Sequence, residues 1–547
     1  MHVPQTITGG QALAFGAARA GVGCITAYPG SPSSATVAAL VELLRGGAGA
    51  GCHLEWSANE RVALEVAIGA CLGGRRSLVC TKSVGMNVMV DPLMALNLTP
   101  LSAGMVIILG DDPGAYGSQN DQDTRALADL LELPMVEPAT PRAGLEMVEA
   151  AFSASERYAM PVVVRITRSF DTCREAAGNA AGTEIVWQVR AGRVEREALR
   201  YVPYPGNAVA KHRELHRRLP LAAQWVAEAA CNRVITTAPP RPALEGGTRG
   251  IVSAGFCTRK LADVLGATVA GVGLLELGGI FPLPAEPVRT FLAAHDEVLV
   301  LEENEPYLEQ RIAALAHASG LSTRVRGKLT GEVPRCGELY RWQIAAAVAG
   351  FAPGLPVSAC YTADGEQAER PPRKNHCAGC PFDRLVDAVQ EWLRAAGRDA
   401  WLVADPGCLA TEAPRLGAKY AIGSAVAVAD GLLRAGQDAV ALFGDSAFFH
   451  AALPALCNAY AQGTNLAAIV ADNAGSVTTG RQPHPGSGRS ALGTPAPRLD
   501  MLAIARACGA SHASRVPLSE LPGALPAALD GPGVRVLVVD APCRQVV

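Results

Sequence analysis

Two polar side chains stand at the ends of two apolar runs in the C-terminal third of the chain. DAVALFG is followed by Asp445, and LAAIVAD is followed by Asn473. The runs read as neighbouring strands, which would bring a carboxylate and an amide oxygen to one edge of a sheet. Such hard oxygen ligands suit Mg²⁺, with phosphate oxygens and water completing the octahedron. A plainer interpretation is that Asp445 caps a helix starting near Ala447, and the spacing alone leaves both open.

A subset of the cysteines has a spacing typical of ligands. Cys377 and Cys380 form a C-x-x-C, while Cys408 and Cys543 each follow an apolar run. Four thiolates can hold an iron–sulfur cluster, but a C-x-x-C alone is equally compatible with zinc or with a redox-active pair. Most of the other cysteines lie within apolar strands or helices, which is typical of buried thiols in a reducing cytoplasm.

The composition bounds what kind of protein this is. The chain has 547 residues, 49% hydrophobic and 18% charged, with a net charge of −3. This length suggests roughly three globular domains. The charge balance argues against nucleic acid as a partner, and no apolar run reaches the ~18 residues that would span a membrane. The N-terminus MHVPQTITGG has no signal-peptide pattern, so we predict a cytoplasmic protein.

Strand and helix patterns alternate along the chain and predict an α/β fold. In the first part, short β-branched strands at 23–28, 77–81, 105–110 and 162–165 alternate with Ala-rich helical stretches such as 63–72. A charge-rich stretch at 180–245 reads as a helical connection, and α/β alternation resumes from Gly250 and again after 376. Such alternation predicts mostly parallel sheets, whose ligands gather beyond the carboxyl ends of the strands.

Ordered motifs along nearly the whole chain resemble one enzyme family. They are YPGSPSS, EWSANE, VGMNVMVDP, DDPGAYGSQNDQD, LGGIFPLP, EENEP, CAGCP, GDSAFFH and DNAGSVTTGRQPHPG. Together they resemble the alpha subunits of the indolepyruvate ferredoxin oxidoreductases, within the 2-oxoacid:ferredoxin oxidoreductases. The resemblance implies a three-domain thiamine diphosphate-enzyme architecture with doubly wound, mostly parallel sheets. The implied domains are a pyrimidine-binding domain at 1–178, a connecting segment at 179–245, a transketolase C-terminal-like domain at 246–350, a linker at 351–375 and a diphosphate-binding domain at 376–547.

The resemblance also assigns cofactor ligands. It implies Mg²⁺ on Asp445, Asn473 and the carbonyl of Gly475, with Asp472 capping or stabilising the loop. Further residues are implied at the cofactor, namely Gly444, Ser446, Thr478, Thr479, Gly480 and, on the first domain, Asn120.

Glu60 is the residue that the resemblance places against the aminopyrimidine of the cofactor, where a carboxylic acid would hydrogen-bond the ring nitrogen N1′. Glu55 and Glu65 compete for this role, although Glu65 faces another side of the helix. A first-turn acid favoured by the helix dipole is the simpler explanation of Glu60.

Substrate contacts are implied less sharply. Ser31 takes the place of the hydroxyl residue that meets the substrate carboxylate in relatives, although it also suits a plain Pro-Gly-Ser turn. Relatives of this subtype usually have Lys-His before Val-Gly, whereas this chain has Lys82 and Ser83. The missing histidine puts substrate choice in doubt or shifts proton transfer to another group, such as His484, which is equally compatible with a structural role.

Among relatives, the pattern of Cys377, Cys380, Cys408 and Cys543 binds a [4Fe–4S] cluster beside the cofactor. The alpha subunits usually continue into a ferredoxin-like tail, whereas this sequence stops at Val547. We therefore expect electrons to pass from the proximal cluster directly to a partner or to a separate small ferredoxin subunit.

The implied reaction is oxidative decarboxylation of an aryl, indolepyruvate-like 2-oxoacid to acyl-CoA and CO₂, with coenzyme A as co-substrate and ferredoxin or another acceptor taking the electrons. A smaller partner subunit is implied, and we expect a dimer because the pyrimidine and diphosphate domains of thiamine enzymes usually meet across a subunit boundary. One alternative is a non-oxidative decarboxylase or carboligase on the same fold, without a cluster. Another is a non-catalytic scaffold subunit, against which the intact Asp445, Asn473 and Glu60 argue.

Overall fold

The computed structural model describes residues 2–190, 192, 194, 196–228, 232–235, 248–266, 272–358, 360–361 and 377–544. The chain divides into two compact units, one of residues 1–54 and 63–373 and the other of residues 55–62 and 374–547. Most of the predicted linker 351–375 and the end of the predicted connecting segment 179–245 lie outside the described residues. The domain boundaries from the sequence therefore stay predictions.

Fourteen strands and twelve helices precede the linker. The strands are β1 (Thr6–Thr8), β2 (Cys24–Ala27), β3 (His53–Trp56), β4 (Ser77–Lys82), β5 (Met105–Asp111), β6 (Met135–Val136), β7 (Val162–Thr167), β8 (Arg174–Ala176), β9 (Arg233–Ile235), β10 (Arg249–Ala254), β11 (Gly273–Leu277), β12 (Gly279–Phe281), β13 (Glu297–Leu301) and β14 (Arg324–Arg326). The helices are α1 (Gly9–Arg19), α2 (Ser34–Arg45), α3 (Glu60–Leu72), α4 (Ser83–Leu96), α5 (Arg125–Leu131), α6 (Pro141–Tyr158), α7 (Arg168–Thr172), α8 (Ala208–Glu228), α9 (Phe256–Leu265), α10 (Ala285–Ala293), α11 (Tyr307–Ala318) and α12 (Arg341–Phe351). These counts refer to the described residues.

Two larger sheets organise these strands. The first sheet has the order β12-β6-β7-β5-β4-β2-β3, and the second has the order β14-β13-β10-β11-β9. In the first sheet the described pairs from β6 to β2 are parallel, and β12 pairs antiparallel with β6. In the second sheet β9 pairs antiparallel with β11. The central strands are buried along their whole length, as expected for a parallel sheet covered on both faces. Their polar residues therefore collect at the carboxyl ends, where the loops after β2, β4 and β5 begin.

The second unit is built on one parallel sheet. Its strands are β15 (Ala400–Ala404), β16 (Ala418–Lys419), β17 (Asp438–Gly444), β18 (Leu466–Asp472), β19 (His512–Pro517) and β20 (Val534–Asp540), in the order β16-β15-β17-β18-β20-β19. Its helices are α13 (Pro381–Ala395), α14 (Ala425–Arg434), α15 (Asp445–Ala447), α16 (Leu453–Ala461), α17 (Met501–Ala507) and α18 (Leu521–Leu529). Gly444 pairs with Ala471 across β17 and β18, so the residues that follow both strands lie at the same edge.

The structure confirms the predicted strands at 23–28, 77–81, 105–110 and 162–165, each within two residues at either end. The helical reading of 180–245 was wrong for its first half, because the described residues from 181 to 207 contain no helix and α8 starts only at Ala208. Pro203, Pro205 and Gly206 explain the late start, since proline and glycine disfavour a helix interior. Among the described helices, none combines the length and the apolar character needed to cross a membrane.

Candidate cofactor site

Asp445 is a buried carboxylate held by backbone amides at the edge of the second unit's sheet. Its Oδ1 accepts the N–H of Ser446 at 2.8 Å, and its Oδ2 accepts the N–H groups of Asn473 at 3.2 Å and Gly475 at 3.1 Å. Burial raises the pKa of the Asp445 carboxyl, and nearby Asp472 raises it further, whereas His484 lowers it. A divalent cation would stabilise the charge that burial disfavours.

Asn473 supplies a second oxygen in the same place. Its Oδ1 is buried and has no hydrogen-bond partner, a costly state for a polar atom unless something else ligates it. The carbonyl of Gly475 accepts one N–H, from Val477 at 2.9 Å, and keeps a second lone pair. Carboxylate, amide and carbonyl oxygens are the donor set of Mg²⁺, so these three residues fit the implied ion.

The loop after β18 is held by its own polar side chains. Asp472 accepts the N–H of Ala474 at 3.0 Å and a guanidinium N–H of Arg515 at 2.8 Å, so it stabilises the loop. Thr478 and Thr479 lie in a 3-10 turn, which Gly480 ends with a φ of +127°. A side chain at that position would be strained, so glycine is required there.

Ser446 joins this loop to the turn after β17. Its hydroxyl lies 2.7 Å from the hydroxyl of Ser476. Gly444, at the end of β17, has no heavy atom within 4 Å of the position that a Cβ would occupy, so the backbone faces open space there. Gly444 and Ser446, which the family resemblance implies at the cofactor, therefore flank Asp445 on the chain, and Ser446 links it to the loop after β18.

His484 lies against Asp445. Its Nε2 is 3.0 Å from Asp445 Oδ2, although the two are not aligned as a hydrogen bond, and its Nδ1 accepts the N–H of Gly486 at 3.1 Å. The Nδ1 contact leaves the proton of a neutral ring on Nε2, facing the carboxylate. Phe449 stacks on the ring with centroids 5.4 Å apart, so the imidazole is held from its face as well as from its edge.

Glu60 belongs to the same compact unit as Asp445. It begins α3, is buried, and its Oε2 lies 2.8 Å from His450 Nε2. The amide of Asn59 donates to the carbonyl of His450 at 3.0 Å, so two adjacent residues hold this histidine. His450 follows Asp445 by five positions, in the helical turn that continues α15, and it is a candidate that the sequence analysis left without a role.

Asp405 is a second residue that the sequence analysis missed. It follows β15 as Asp445 follows β17, and it accepts the N–H groups of Gly423 at 2.7 Å and Ala425 at 2.9 Å. Burial raises its pKa to about 7, and nearby His450 lowers it. The strand-end position that singled out Asp445 could have identified Asp405 too.

Three of the four predicted cysteine ligands lie near one another in the second unit. Burial raises the pKa of the Cys380 thiol, and the nearby Cys408 and Cys377 raise it further. Cys408 Sγ is 3.7 Å from the hydroxyl of Thr478, so this set lies against the loop after β18.

The fourth cysteine, Cys543, immediately precedes Arg544. Gly379, inside the C-x-x-C turn, has a φ of +68°, and a Cβ added there would lie 2.5 Å from the Arg544 guanidinium. The chain around Cys543 therefore packs on the C-x-x-C turn. None of the fourteen described cysteines forms a disulfide.

The two remaining predicted residues, Ser31 and Asn120, lie in the first unit, and their place at the cofactor stays a prediction. Ser31 is half-buried in the turn after β2, and the exposed Asn120 donates to Gln122 at 3.4 Å in the loop after β5. Lys82, at the end of β4, is buried between these loops. A Cβ at Gly30 would lie 2.7 Å from its Cβ, and its Nζ donates to the carbonyl of Gly117 at 2.8 Å.

Two family models match the chain. Residues 15–174 match the family described as pyruvate flavodoxin/ferredoxin oxidoreductase, thiamine diP-bdg. Residues 410–539 match the family described as thiamine pyrophosphate enzyme, C-terminal TPP binding domain, which includes Asp445 and Asn473. The matched ranges contain both the Glu60 segment and the loop after β18, so both halves of the predicted cofactor site fall in thiamine diphosphate-binding families.

The chain is similar to curated proteins over most of its length. The indolepyruvate oxidoreductase subunit IorA of Methanothermobacter marburgensis is 34% identical over 93% of this chain and 81% of its own, and that of Methanothermobacter thermautotrophicus is 33% identical over 98% and 86%. A solved 2-oxoglutarate:ferredoxin oxidoreductase from Magnetococcus marinus matches with a TM-score of 0.47 at 15% identity, over 63% of this chain and 64% of that one. The chain therefore belongs to the family of the indolepyruvate oxidoreductase subunits IorA, whose members are thiamine diphosphate-dependent 2-oxoacid oxidoreductases.

Proposed function

We propose that this chain oxidatively decarboxylates an aryl, indolepyruvate-like 2-oxoacid. The bond between the carboxylate and the keto carbon breaks, CO₂ leaves, and a carbon–sulfur bond forms to coenzyme A. Two electrons pass one at a time to an acceptor such as ferredoxin, and the thiol proton of coenzyme A is released to solvent. The observation that supports the proposal is the contact between Cys408 and Thr478, because Cys408 is one of the four cysteines proposed to hold a cluster and Thr478 belongs to the loop predicted to hold the diphosphate.

Different residues of the second unit would bind different parts of the cofactor. Asp445, Asn473 and the Gly475 carbonyl would bind Mg²⁺ and, through it, the diphosphate. Glu60 would hydrogen-bond the aminopyrimidine, with His450 orienting its carboxyl group. Bound thiamine diphosphate supplies the carbanion chemistry that the decarboxylation needs. His484 is then a proton carrier whose ring is already oriented by Gly486 and Phe449.

Ser31 and Lys82 are the residues that we propose for the oxoacid carboxylate. Both lie at the carboxyl edge of the first unit's larger sheet, where a hydroxyl and an ammonium group can bind an anion. The names of the relatives support an aryl substrate. Because Ser83 replaces the histidine that relatives usually have here, the substrate preference of this chain has to be measured with several 2-oxoacids.

The chain is proposed to work with a smaller subunit, as the word subunit in the relatives' names supports. Cys377, Cys380, Cys408 and Cys543 would hold a [4Fe–4S] cluster as the electron exit. A dimer is expected if the pyrimidine and diphosphate domains meet across a subunit boundary, and it stays a prediction, because Glu60 contacts His450 within one chain.

The proposal is tested by anaerobic purification of the chain with its partner subunit. We expect bound iron and sulfide, and acceptor reduction that needs thiamine diphosphate, Mg²⁺, coenzyme A and a 2-oxoacid, fastest with indolepyruvate among indolepyruvate, pyruvate and 2-oxoglutarate. Cys380→Ser should lose iron yet keep its affinity for the cofactor, while Cys457→Ser, at an exposed cysteine outside the set, should keep its iron. A colourless, iron-free protein that still releases CO₂ would instead identify a non-oxidative decarboxylase.

A further inference from the structure

We propose that Glu132, His212 and His216 form a surface site for a divalent transition metal of the zinc class. His212 and His216 lie four residues apart on α8, so both project from one helix face, and Glu132 follows the last residue of α5. Over the part of the chain that the structure describes, this is the one trio of His, Cys, Asp or Glu residues whose ligand atoms all lie within 4.8 Å of one another.

The possible ligand atoms form two close pairs, each between one imidazole nitrogen and one oxygen of the Glu132 carboxylate. His212 Nε2 lies 2.8 Å from Glu132 Oε2, and His216 Nε2 lies 2.6 Å from Glu132 Oε1, so each carboxylate oxygen faces one ring. The ring centroids are 4.3 Å apart. Zinc binds imidazole nitrogen and carboxylate oxygen at about 2.0–2.2 Å, which sets tetrahedral ligands about 3.4 Å apart, so these donor atoms need to separate by roughly 0.6–0.8 Å to hold an ion. Both rings are about half-exposed and can rotate by that amount.

The chemistry of the donors selects the class of ion. Two imidazole nitrogens and one carboxylate are a recurring zinc ligand set that leaves a fourth position for water. Mg²⁺ and Ca²⁺ prefer oxygen ligands throughout, so neither should compete effectively here.

Both elements that carry the donors are fixed by contacts within the first unit. Glu132 has a left-handed backbone with a φ of +52°, and its N–H bonds to the end of α5. On α8, the Arg218 guanidinium donates to the carbonyls of Ala159 at 2.6 Å and Asn97 at 3.0 Å, and Leu215 is fully buried. A metal ion would therefore cross-link α8, in the connecting segment, to the helix that packs beside the first sheet.

The test is isothermal titration of the chelator-treated protein with Zn²⁺, comparing the wild type with the double variant His212→Ala, His216→Ala. We expect the double variant to bind one equivalent of Zn²⁺ less than the wild type. Because a C-x-x-C pair such as that of the second unit is also able to bind zinc, the titration is repeated with Co²⁺. The absorption lost in the double variant should be that of a nitrogen and oxygen site, without thiolate-to-cobalt charge transfer.

Matched variants keep the test decisive. Glu132→Gln should weaken the same binding step, whereas His317→Ala, at an exposed histidine on α11, should leave it unchanged. Zn²⁺ should also raise the thermal unfolding temperature of the wild type more than that of the double variant. Equal zinc stoichiometry in the wild type and in both the double and the Glu132→Gln variants would overturn the proposal.

Discussion

Asp445 shows how a single carboxylate can be prepared for a metal ion. Three backbone N–H groups fix both of its oxygens, and burial in the sheet edge disfavours its charge in the absence of a cation. Its position could be predicted from the sequence, because an acid that directly follows a buried parallel strand lies at the carboxyl edge of the sheet. Asn473 follows from the same rule applied to the next strand.

Replacing Asp445 by asparagine tests the metal assignment. Asp445→Asn keeps the shape but removes the charge, so Mg²⁺-dependent affinity for thiamine diphosphate should fall by more than about 100-fold, since even outer-shell partners of metal ligands are worth roughly 10–100-fold. Isothermal titration with and without Mg²⁺ measures it. Asp500→Asn, at an exposed helix N-cap of the same unit, is the control. Unchanged affinity in Asp445→Asn would refute the ligand role.

The contact between Glu60 and His450 could not be predicted from the sequence, because 390 positions separate the two residues and no local pattern links them. Only the family resemblance singled out Glu60, and nothing pointed to His450. Helical spacing did separate Glu60 from Glu65, since they project from different sides of α3.

Glu60→Gln tests the choice among the acids of this segment. Glutamine keeps a hydrogen bond but cannot exchange a proton with the cofactor, so turnover should fall by about 10²–10⁴-fold while the cofactor still binds. Steady-state assays and titration of cofactor binding separate the two effects. Glu65→Gln, on the same helix, should retain activity, and the reverse result would reassign the role.

At the scale of elements, buried ion pairs tie the strand ends of the first unit together. Arg165 on β7 donates to Asp111 of β5 at 2.7 Å, to Glu137 after β6 at 2.5 Å, and to the carbonyl of Glu303 after β13 at 3.1 Å. Arg165 is almost fully buried, and so are the carboxylates. The apolar runs of these strands predict them well, whereas the short polar β3 and the three-residue β12 lack a comparable pattern and were not predicted.

Arg165→Met should destabilise the fold by about 3–5 kcal/mol near pH 8, because Asp111 and Glu137 stay buried and lose the cation that contacts both of them. Burial already raises the pKa of both carboxyls, and losing Arg165 raises it further, so they should protonate as the pH falls. The decrease in the free energy of unfolding caused by Arg165→Met should therefore be smaller near pH 5. Denaturant unfolding at both pH values measures it, with the exposed Arg217→Met as a control worth at most about 1 kcal/mol. An equal loss at both pH values would contradict the account.

At the scale of the whole molecule, buried acids give the stability a pH dependence. Burial raises the pKa of Asp171 on α7 from 3.8 to about 7, and its Oδ1 has no hydrogen-bond partner. A raised carboxyl pKa means that the folded state holds its proton more tightly, so this contribution to stability is full below pH ~4 and is lost as the pH rises through 7.

Asp171→Asn mimics the protonated group and should remove that dependence. The variant should match the wild type near pH 4 and be more stable near pH 8, by an amount on the order of a few kcal/mol. Thermal unfolding across this range measures it. A variant less stable than the wild type at pH 8 would show that the Asp171 charge is compensated in the folded protein.

The central claim is that electrons from the oxoacid leave through the cysteine cluster beside the cofactor loop. The direct measurement is the visible absorption of the anaerobic protein with its partner subunit, thiamine diphosphate, Mg²⁺ and coenzyme A, before and after indolepyruvate is added without an external acceptor. We predict that the iron–sulfur absorption bleaches in the wild type and stays unchanged in Asp445→Asn. An absorption that does not change in the wild type while CO₂ is released would contradict the account.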